Sequence, residues 1–453
     1  MKHYYHEKCN SGLRSLVAAV LFGIASLGMA QQFRVLDDIT DKSGDGYVVW
    51  GESISPNHRY VAGQAISKVT GYTGCFVYDL ETDRYAVLPG PGDLGGDIRG
   101  VNDDGVAAGC NPNALLLSVD GTQTDLETPA DCESAAWDLS DVGNVAVGSY
   151  WSINDYREHA CVWKDGKIQY LPEPTTEEMG FTVWGTSANY CSSDASVIVG
   201  YISDDLVTRP LIIWRLQEDG SYVCDPICKE YFGKYEENSD KPYTVFRPTN
   251  VSRNGRYVSL TVQGNGTESR MARFDLTAGK IEEYIADGSG TVVAGMASES
   301  LAAADDGTLA GYFMSDYALV PYGRCACVWR MGEAEPVKLS AAYDYPELAA
   351  YDAVGYNLLY DITPDGEVGL GLAYDETYDY ATYIIELGTG TSGIGNVETE
   401  AAEENEVRRY TVDGVRVDAP VKGLNIVALV LAKTCENAPT LRFDEYLALF
   451  ALV

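Results

Sequence analysis

The sequence predicts an all-β protein, a seven-bladed β-propeller with a small C-terminal β appendage, and three observations carry that prediction. A turn motif recurs seven times, a second apolar motif follows it in step, and the composition favours strands and turns. The turn motif is a small polar residue, then Asp or Asn, in most copies with Gly, then a short apolar run that generally closes on Gly. Asp-Gly or Asn-Gly between alternating apolar runs signals a hairpin, because Gly accepts the positive φ of a tight turn.

The copies open at Ser55-Pro56-Asn57-His58, Asn102-Asp103-Asp104-Gly105, Ser140-Asp141-Val142-Gly143, Ser192-Ser193-Asp194-Ala195, Ser252-Arg253-Asn254-Gly255, Ala304-Asp305-Asp306-Gly307 and Thr363-Pro364-Asp365-Gly366. The second motif reads Cys75-Phe76-Val77-Tyr78, Ala114-Leu115-Leu116-Leu117, Ala160-Cys161-Val162-Trp163, Leu211-Ile212-Ile213-Trp214, Met271-Ala272-Arg273-Phe274, Ala326-Cys327-Val328-Trp329 and Ala381-Thr382-Tyr383-Ile384. Segments such as 84–89, 167–172, 280–285 and 336–339 add a shorter fourth strand. A four-stranded unit repeating roughly every fifty residues, built only of strands, is the pattern of propeller blades. The seventh unit has three strands of its own. Residues 32–37 have strand character and precede the first unit, so they are expected to pair with residues 380–387 and close the ring, removing an open edge.

The domains follow in order. Residues 1–30 read as a secretory signal: Lys2, Lys8 and Arg14 precede an apolar core, and Gly28-Met29-Ala30 forms a small-residue cleavage site. The propeller spans 31–388. Residues 389–405, rich in Gly, Ser, Thr and Glu, have linker composition. Residues 406–453 hold the appendage, with an alternating strand around Asp413-Gly414 and a further strand at 422–427. No apolar run after the signal reaches the length of a membrane span.

The net charge is −35, and removal of a signal carrying three positive and one negative side chain leaves −37. Such a chain lacks the basic surface that nucleic acid requires. Eleven Cys do not form the spacing of a disulfide framework; most read as small buried apolar residues, with Cys224 and Cys228 a local pair that could bridge. Only His58 and His159 follow the signal, too few and too far apart for a His-based zinc site or a serine triad. Gly388-Thr389-Gly390-Thr391-Ser392-Gly393 fits G-x-G-x-x-G, but no βαβ unit can follow it, so it reads as linker. Asp41, Ser43 and Asp45, with Gly46 and Glu52, have the spacing of a calcium loop. The repeat phase instead carries Glu52 away along the first strand, and an acidic turn is the favoured reading, calcium the alternative.

The aromatic residues point to function. In an up-and-down blade the connections between second and third strands lie on one face. Here they carry Tyr72, Tyr150, Trp151, Tyr156, Tyr312, Phe313, Tyr317, Tyr322, Tyr374, Tyr378 and Tyr380, interleaved with Asn154, Asp155, Asp316, Asp375, Glu376 and Asp379. Flat rings beside hydrogen-bond acceptors suit a sugar, and Trp151, Tyr156, Tyr317, Tyr322 and Tyr378 are the expected ligand-binding residues. The plainer alternative is that Tyr covers blade ends.

Two resemblances add to this reading. The units, with Leu94-Gly95-Gly96-Asp97 ahead of Asn102-Asp103-Asp104-Gly105 and with Ala160-Cys161-Val162-Trp163, resemble the extracellular HAF repeat family, whose exported members are mostly of unknown activity. Tyr410-Thr411-Val412-Asp413-Gly414-Val415-Arg416-Val417 and Lys422-Gly423-Leu424-Asn425-Ile426-Val427 resemble C-terminal tails of exported Bacteroidetes proteins that serve surface sorting; residues 428–453 depart from that pattern. The expectation is a secreted, cell-surface or periplasmic binding propeller without catalytic activity, its partner a glycan or another surface protein. The alternatives are a carbohydrate-active enzyme using paired carboxylates and a purely structural surface protein.

Overall fold

A computed structural model describes residues 33–388 apart from 93–94, 155–156, 204–207, 234–240, 265–267, 285–296 and 315–322, together with three short strands after residue 407. The signal segment, the linker and Tyr156, Tyr317 and Tyr322 lie outside the described residues. The chain divides after Gly390 into two units.

The first unit is a ring of seven antiparallel sheets. The inner strands, in blade order, are Gly46–Ile54, Asp97–Val101, Cys132–Leu139, Gly185–Cys191, Val245–Val251, Ser298–Ala303 and Asn357–Ile362. Each begins a meander whose third strand carries the apolar motif, for instance Glu158–Lys164 in blade 3. Blade 1 gains a fifth strand, Ile39–Thr40, paired with the start of its inner strand. Among the described residues four short helices, Thr176–Met179, Cys228–Tyr231, Leu339–Ala342 and Pro346–Val354, correct the expectation of strands alone. The last begins on Pro346, whose fixed φ suits a first helical turn, and ends on Gly355 at φ 84°.

The ring closes as expected. Phe33–Val35 is the outer strand of blade 7, with Phe33 opposite Ile385 and Val35 opposite Tyr383. The Phe33 ring stacks 4.9 Å from Tyr345 and 5.3 Å from Tyr383. Between blades the core is apolar, and the motif tryptophans Trp163, Trp214 and Trp329 are fully buried. Each indole N–H still finds a carbonyl: Glu127 O at 2.7 Å, Pro172 O at 2.7 Å and Glu333 O at 2.9 Å.

The small polar residue of the turn motif is a cap. Thr363 Oγ1 accepts the Val368 N–H at 3.0 Å and donates to Asp365 Oδ1 at 2.6 Å; Ser55, Ser140, Ser192 and Ser252 accept the corresponding N–H of Tyr60, Val145, Val197 and Tyr257. Buried backbone donors need such partners, which explains a recurring Ser or Thr. The same turns link neighbours all the way round. Asn57 N–H donates to Asp103 (2.7 Å), Asn102 Nδ2 to Asn144 (2.7 Å), Val142 N–H to Ser193 O (2.9 Å), and Ser193 N–H to Arg253 O (2.7 Å). Asn254 N–H donates to Asp305 (2.8 Å), Asp305 N–H to Pro364 O (2.8 Å), and His58 Nε2 faces Asp365 at 2.7 Å.

The second unit is a three-stranded sheet, with Arg408–Tyr410 between Arg416–Val417 and Ile426–Ala428. The expected turn at Asp413-Gly414 and residues 418–425 lie outside the described residues.

Candidate functional site

All seven inner strands carry a β-bulge at the same place. The extra residues are Glu52, Arg99, Trp137, Asn189, Thr249, Leu301 and Tyr360. A bulge re-aims a side chain, and five of these seven line an axial cavity of about 120 Å³ together with Asp138, Tyr190, Asn250, Arg253 and Asp361. At the turn end Arg253 reaches across to Asp138 (3.4 Å), Leu139 O (3.1 Å) and Cys191 O (3.3 Å), plugging the axis. Gly100 follows the bulge of blade 2, and a Cβ there would stand 2.4 Å from Asp138 Oδ1, so only Gly leaves that carboxylate its place.

The next residue after three of the bulges is a side-chain cap of the ring. Asp138 accepts the N–H of Leu139 (2.7 Å) and of Cys191 in the next blade (2.9 Å). Asp361 accepts Ile362 N–H (2.8 Å) and Ile54 N–H across the closing seam (3.0 Å), while Asn250 accepts Val251 N–H at 2.6 Å. Burial pushes the Asp361 carboxyl up to about 6 and raises Asp138 too, against the pull of Arg253.

On the opposite face the strand lengths create a notch. The first three strands of blade 2 have 5 residues each, against 9, 8 and 7 in blade 1 and 8, 7 and 7 in blade 3. At roughly 3.3 Å per residue, blade 2 stands about 7–13 Å lower than its neighbours. Its second and third strands are joined across residues 111–113 with a cis Asn111–Pro112 bond, a tight turn that keeps the blade short. Over it lies a cavity of about 340 Å³, lined by Gln64 and Thr73 of blade 1, Asp97, Cys110 and Pro112 of blade 2, and Glu133, Trp137 and Trp151 of blade 3.

The notch is built stiffly. Trp151 and Glu133 are cross-strand partners, and the Trp151 indole N–H donates to Glu133 at 3.0 Å. Trp137 donates to Ser149 Oγ at 3.3 Å, and Ser149 donates to Glu158 at 2.7 Å. Arg99 lies 4.7 Å over the Trp137 ring and donates to Asp97 at 2.9 Å. Gln64 Nε2 bridges Asp97 and the buried Glu52, 3.2 Å from each, and Arg99 stands 3.4 Å from the other Glu52 oxygen. Burial, with Asp97 adding to it, holds the Glu52 carboxyl well above the usual range. These four side chains separate the notch from the axial cavity.

Of the expected binding residues, Trp151 lines the notch. Tyr378 does not join it: it sits at φ 64° on an exposed turn of blade 7, where Asp375 caps the N–H groups of Thr377 and Asp379. Tyr374 and Tyr380 instead pack in a row with Tyr356 and Trp50, at centroid spacings of 4.4, 5.0 and 4.7 Å, the first pair stacked and the other two tilted, at the blade 7 to blade 1 junction. The acidic turn is likewise self-satisfied: Asp41 accepts Ser43 N–H (2.8 Å) and Asp45 N–H (3.0 Å), and Glu52 points to the axis. Cys224 and Cys228 are free thiols, and His159 sits against Glu173 at 3.1 Å. The sequence reading missed Asp97, Glu133 and Trp137; polar residues alternating along an inner strand were the available signal.

No protein-family model matches the sequence, and no curated protein matches it. Several solved structures are similar to this chain at low identity. An oligogalacturonate lyase from Vibrio parahaemolyticus is 14% identical with a TM-score of 0.49, covering 79% of this chain and 96% of that one. An oligogalacturonate lyase in complex with manganese is 13% identical at 0.47, with coverages of 79% and 96%. TolB from Acinetobacter baumannii is 14% identical at 0.33, with coverages of 77% and 82%. Among the described residues no helix is long and apolar enough to cross a membrane.

Proposed function

We propose that this protein is a secreted or cell-surface binding propeller without catalytic activity, and that it takes a glycan in the notch over blade 2. The observation that supports this most is the pairing of two anchored tryptophans with Asp97, Glu133 and Gln64 around one cavity of about 340 Å³. A sugar offers C–H groups to an aromatic face and hydroxyls to carboxylates and amides, and both kinds of partner are fixed before a ligand arrives. Export and surface sorting rest on the signal-like segment 1–30 and on the resemblance of the tail, and kinship with HAF proteins on the repeat motifs.

A glycan array, followed by titration of Trp151→Ala and Trp137→Ala, tests the reading. Losing one such ring removes roughly 1.5–3 kcal/mol of apolar contact, a weakening of about ten- to a hundredfold. Undiminished binding by folded variants places the site elsewhere, and no ligand for the parent favours a purely structural surface protein. An enzyme is the second reading, because Glu52 and Asp97 form a bridged carboxylate pair in which burial raises the Glu52 carboxyl well above the usual range. Product release from a bound oligosaccharide, abolished by Asp97→Asn, distinguishes it.

A further inference from the structure

We infer that the glycan unit recognised in the notch carries a cationic ammonium group, a non-acetylated amino sugar, and not a uronic acid. The inference rests on the notch being a carbohydrate site and names the class of sugar that fits it. The lining holds two carboxylates, Asp97 and Glu133, and no Lys, Arg or His. They are not equivalent. Asp97 is neutralised by Arg99, which holds it at 2.8 Å. Glu133 has no ion pair among the described residues; its partner is the Trp151 indole N–H, a neutral donor that orients one carboxylate oxygen and leaves the charge unmatched.

The aromatic walls select the same sign. An indole face carries negative potential and attracts a cation within about 6 Å of its centroid. Trp137 already holds one, the Arg99 guanidinium at 4.7 Å. An ammonium placed between Glu133 and Trp151 meets a carboxylate acceptor and an indole ring, both electronegative. A uronate carboxylate placed there meets an uncompensated like charge in a partly enclosed space, with no basic side chain to answer it.

The test is a matched titration of the purified protein with chitosan tetraose, cellotetraose and tetragalacturonate. The first two differ at C2 alone, ammonium against hydroxyl. We expect chitosan tetraose to bind at least tenfold tighter than cellotetraose, with tetragalacturonate weakest. Glu133→Gln keeps an oxygen for Trp151 and should erase the preference, bringing the chitosan tetraose and cellotetraose affinities to within about threefold of each other whatever the change costs both. Equal binding of the first two, or tighter binding of tetragalacturonate, overturns the inference and leaves the carbohydrate reading standing. A tenfold preference that survives Glu133→Gln also overturns it, because the acidic surface at large would then be selecting the polycation. Failure of all three sugars to bind a protein with an intact melting transition overturns both readings.

Discussion

Replacing Asp361 by Asn isolates the proton at the closing seam. The carboxyl titrates at about 6 in the folded chain, raised chiefly by burial with Arg253 pulling the other way, against about 3.9 when unfolded. Between those values the native state binds more protons than the unfolded one, so this residue's stabilising contribution is present below about pH 4 and is lost as pH rises through about 6. The full swing is about 3 kcal/mol, of which about 1.4 falls between about pH 5 and about pH 8. Asn cannot titrate, and Asn250 shows that an amide fits the equivalent position. It does lose one acceptor, since the two Asp361 oxygens serve Ile362 and Ile54 separately. That sets a constant offset of about 1–3 kcal/mol against the variant. Urea unfolding of both proteins at each pH gives a difference curve from which every other titrating group cancels. It should climb in the variant's favour by about 1.4 kcal/mol over that interval, roughly 2 °C in melting temperature for a ring of this size. A flat difference curve would refute the argument, whatever its offset.

Three further outcomes are expected. Deleting residues 31–38 removes the outer strand of blade 7 and the stacked Phe33, costing on the order of 3 kcal/mol or more and opening two strand edges; an unchanged melting transition and unchanged solubility would sink ring closure. Ending the chain at Gly390, where the two units divide, should leave the propeller's melting temperature and circular dichroism unaltered, and loss of folding would make the appendage part of the ring. Thr363→Val keeps shape but strands the Val368 N–H, so denaturant titration should register a loss of about 1–3 kcal/mol; a loss under half of that would show the cap to be dispensable.

The blades were legible because each is made locally. Asp365-Gly366 turns the chain wherever it sits, Gly366 adopting φ 73°, and the strand after it must be apolar to pack between sheets. Closure could be read as well, since a unit short of one strand demands another from elsewhere. The axial ring was not legible, because the bulge fixes a position and leaves identity free: Glu52, Arg99, Trp137, Asn189, Thr249, Leu301 and Tyr360 share no chemistry. The notch was half legible. Trp151 belonged to the aromatic connections, yet what makes it a wall is the shortness of blade 2, a difference in strand length that acts only once neighbours stand side by side. Tyr374 and Tyr380 carried the same sequence signal and pack on each other instead, because they are cross-strand partners.

Pairing Phe33 with Ile385 also orders events in time. Blades 1 to 6 are assembled from consecutive strands and can form as soon as each has emerged. Blade 7 needs a segment made at the very beginning, so its completion waits for nearly the whole ring to be synthesised. Contacts of such long sequence separation form slowly. Throughout that interval residues 33–35 are an unsatisfied strand with affinity for any extended peptide, and residues 380–386 add a second open edge once they emerge. The segment that locks the ring is thus the one exposed longest, and blade 7 is where a second copy could insert its own leading strand in place of the first.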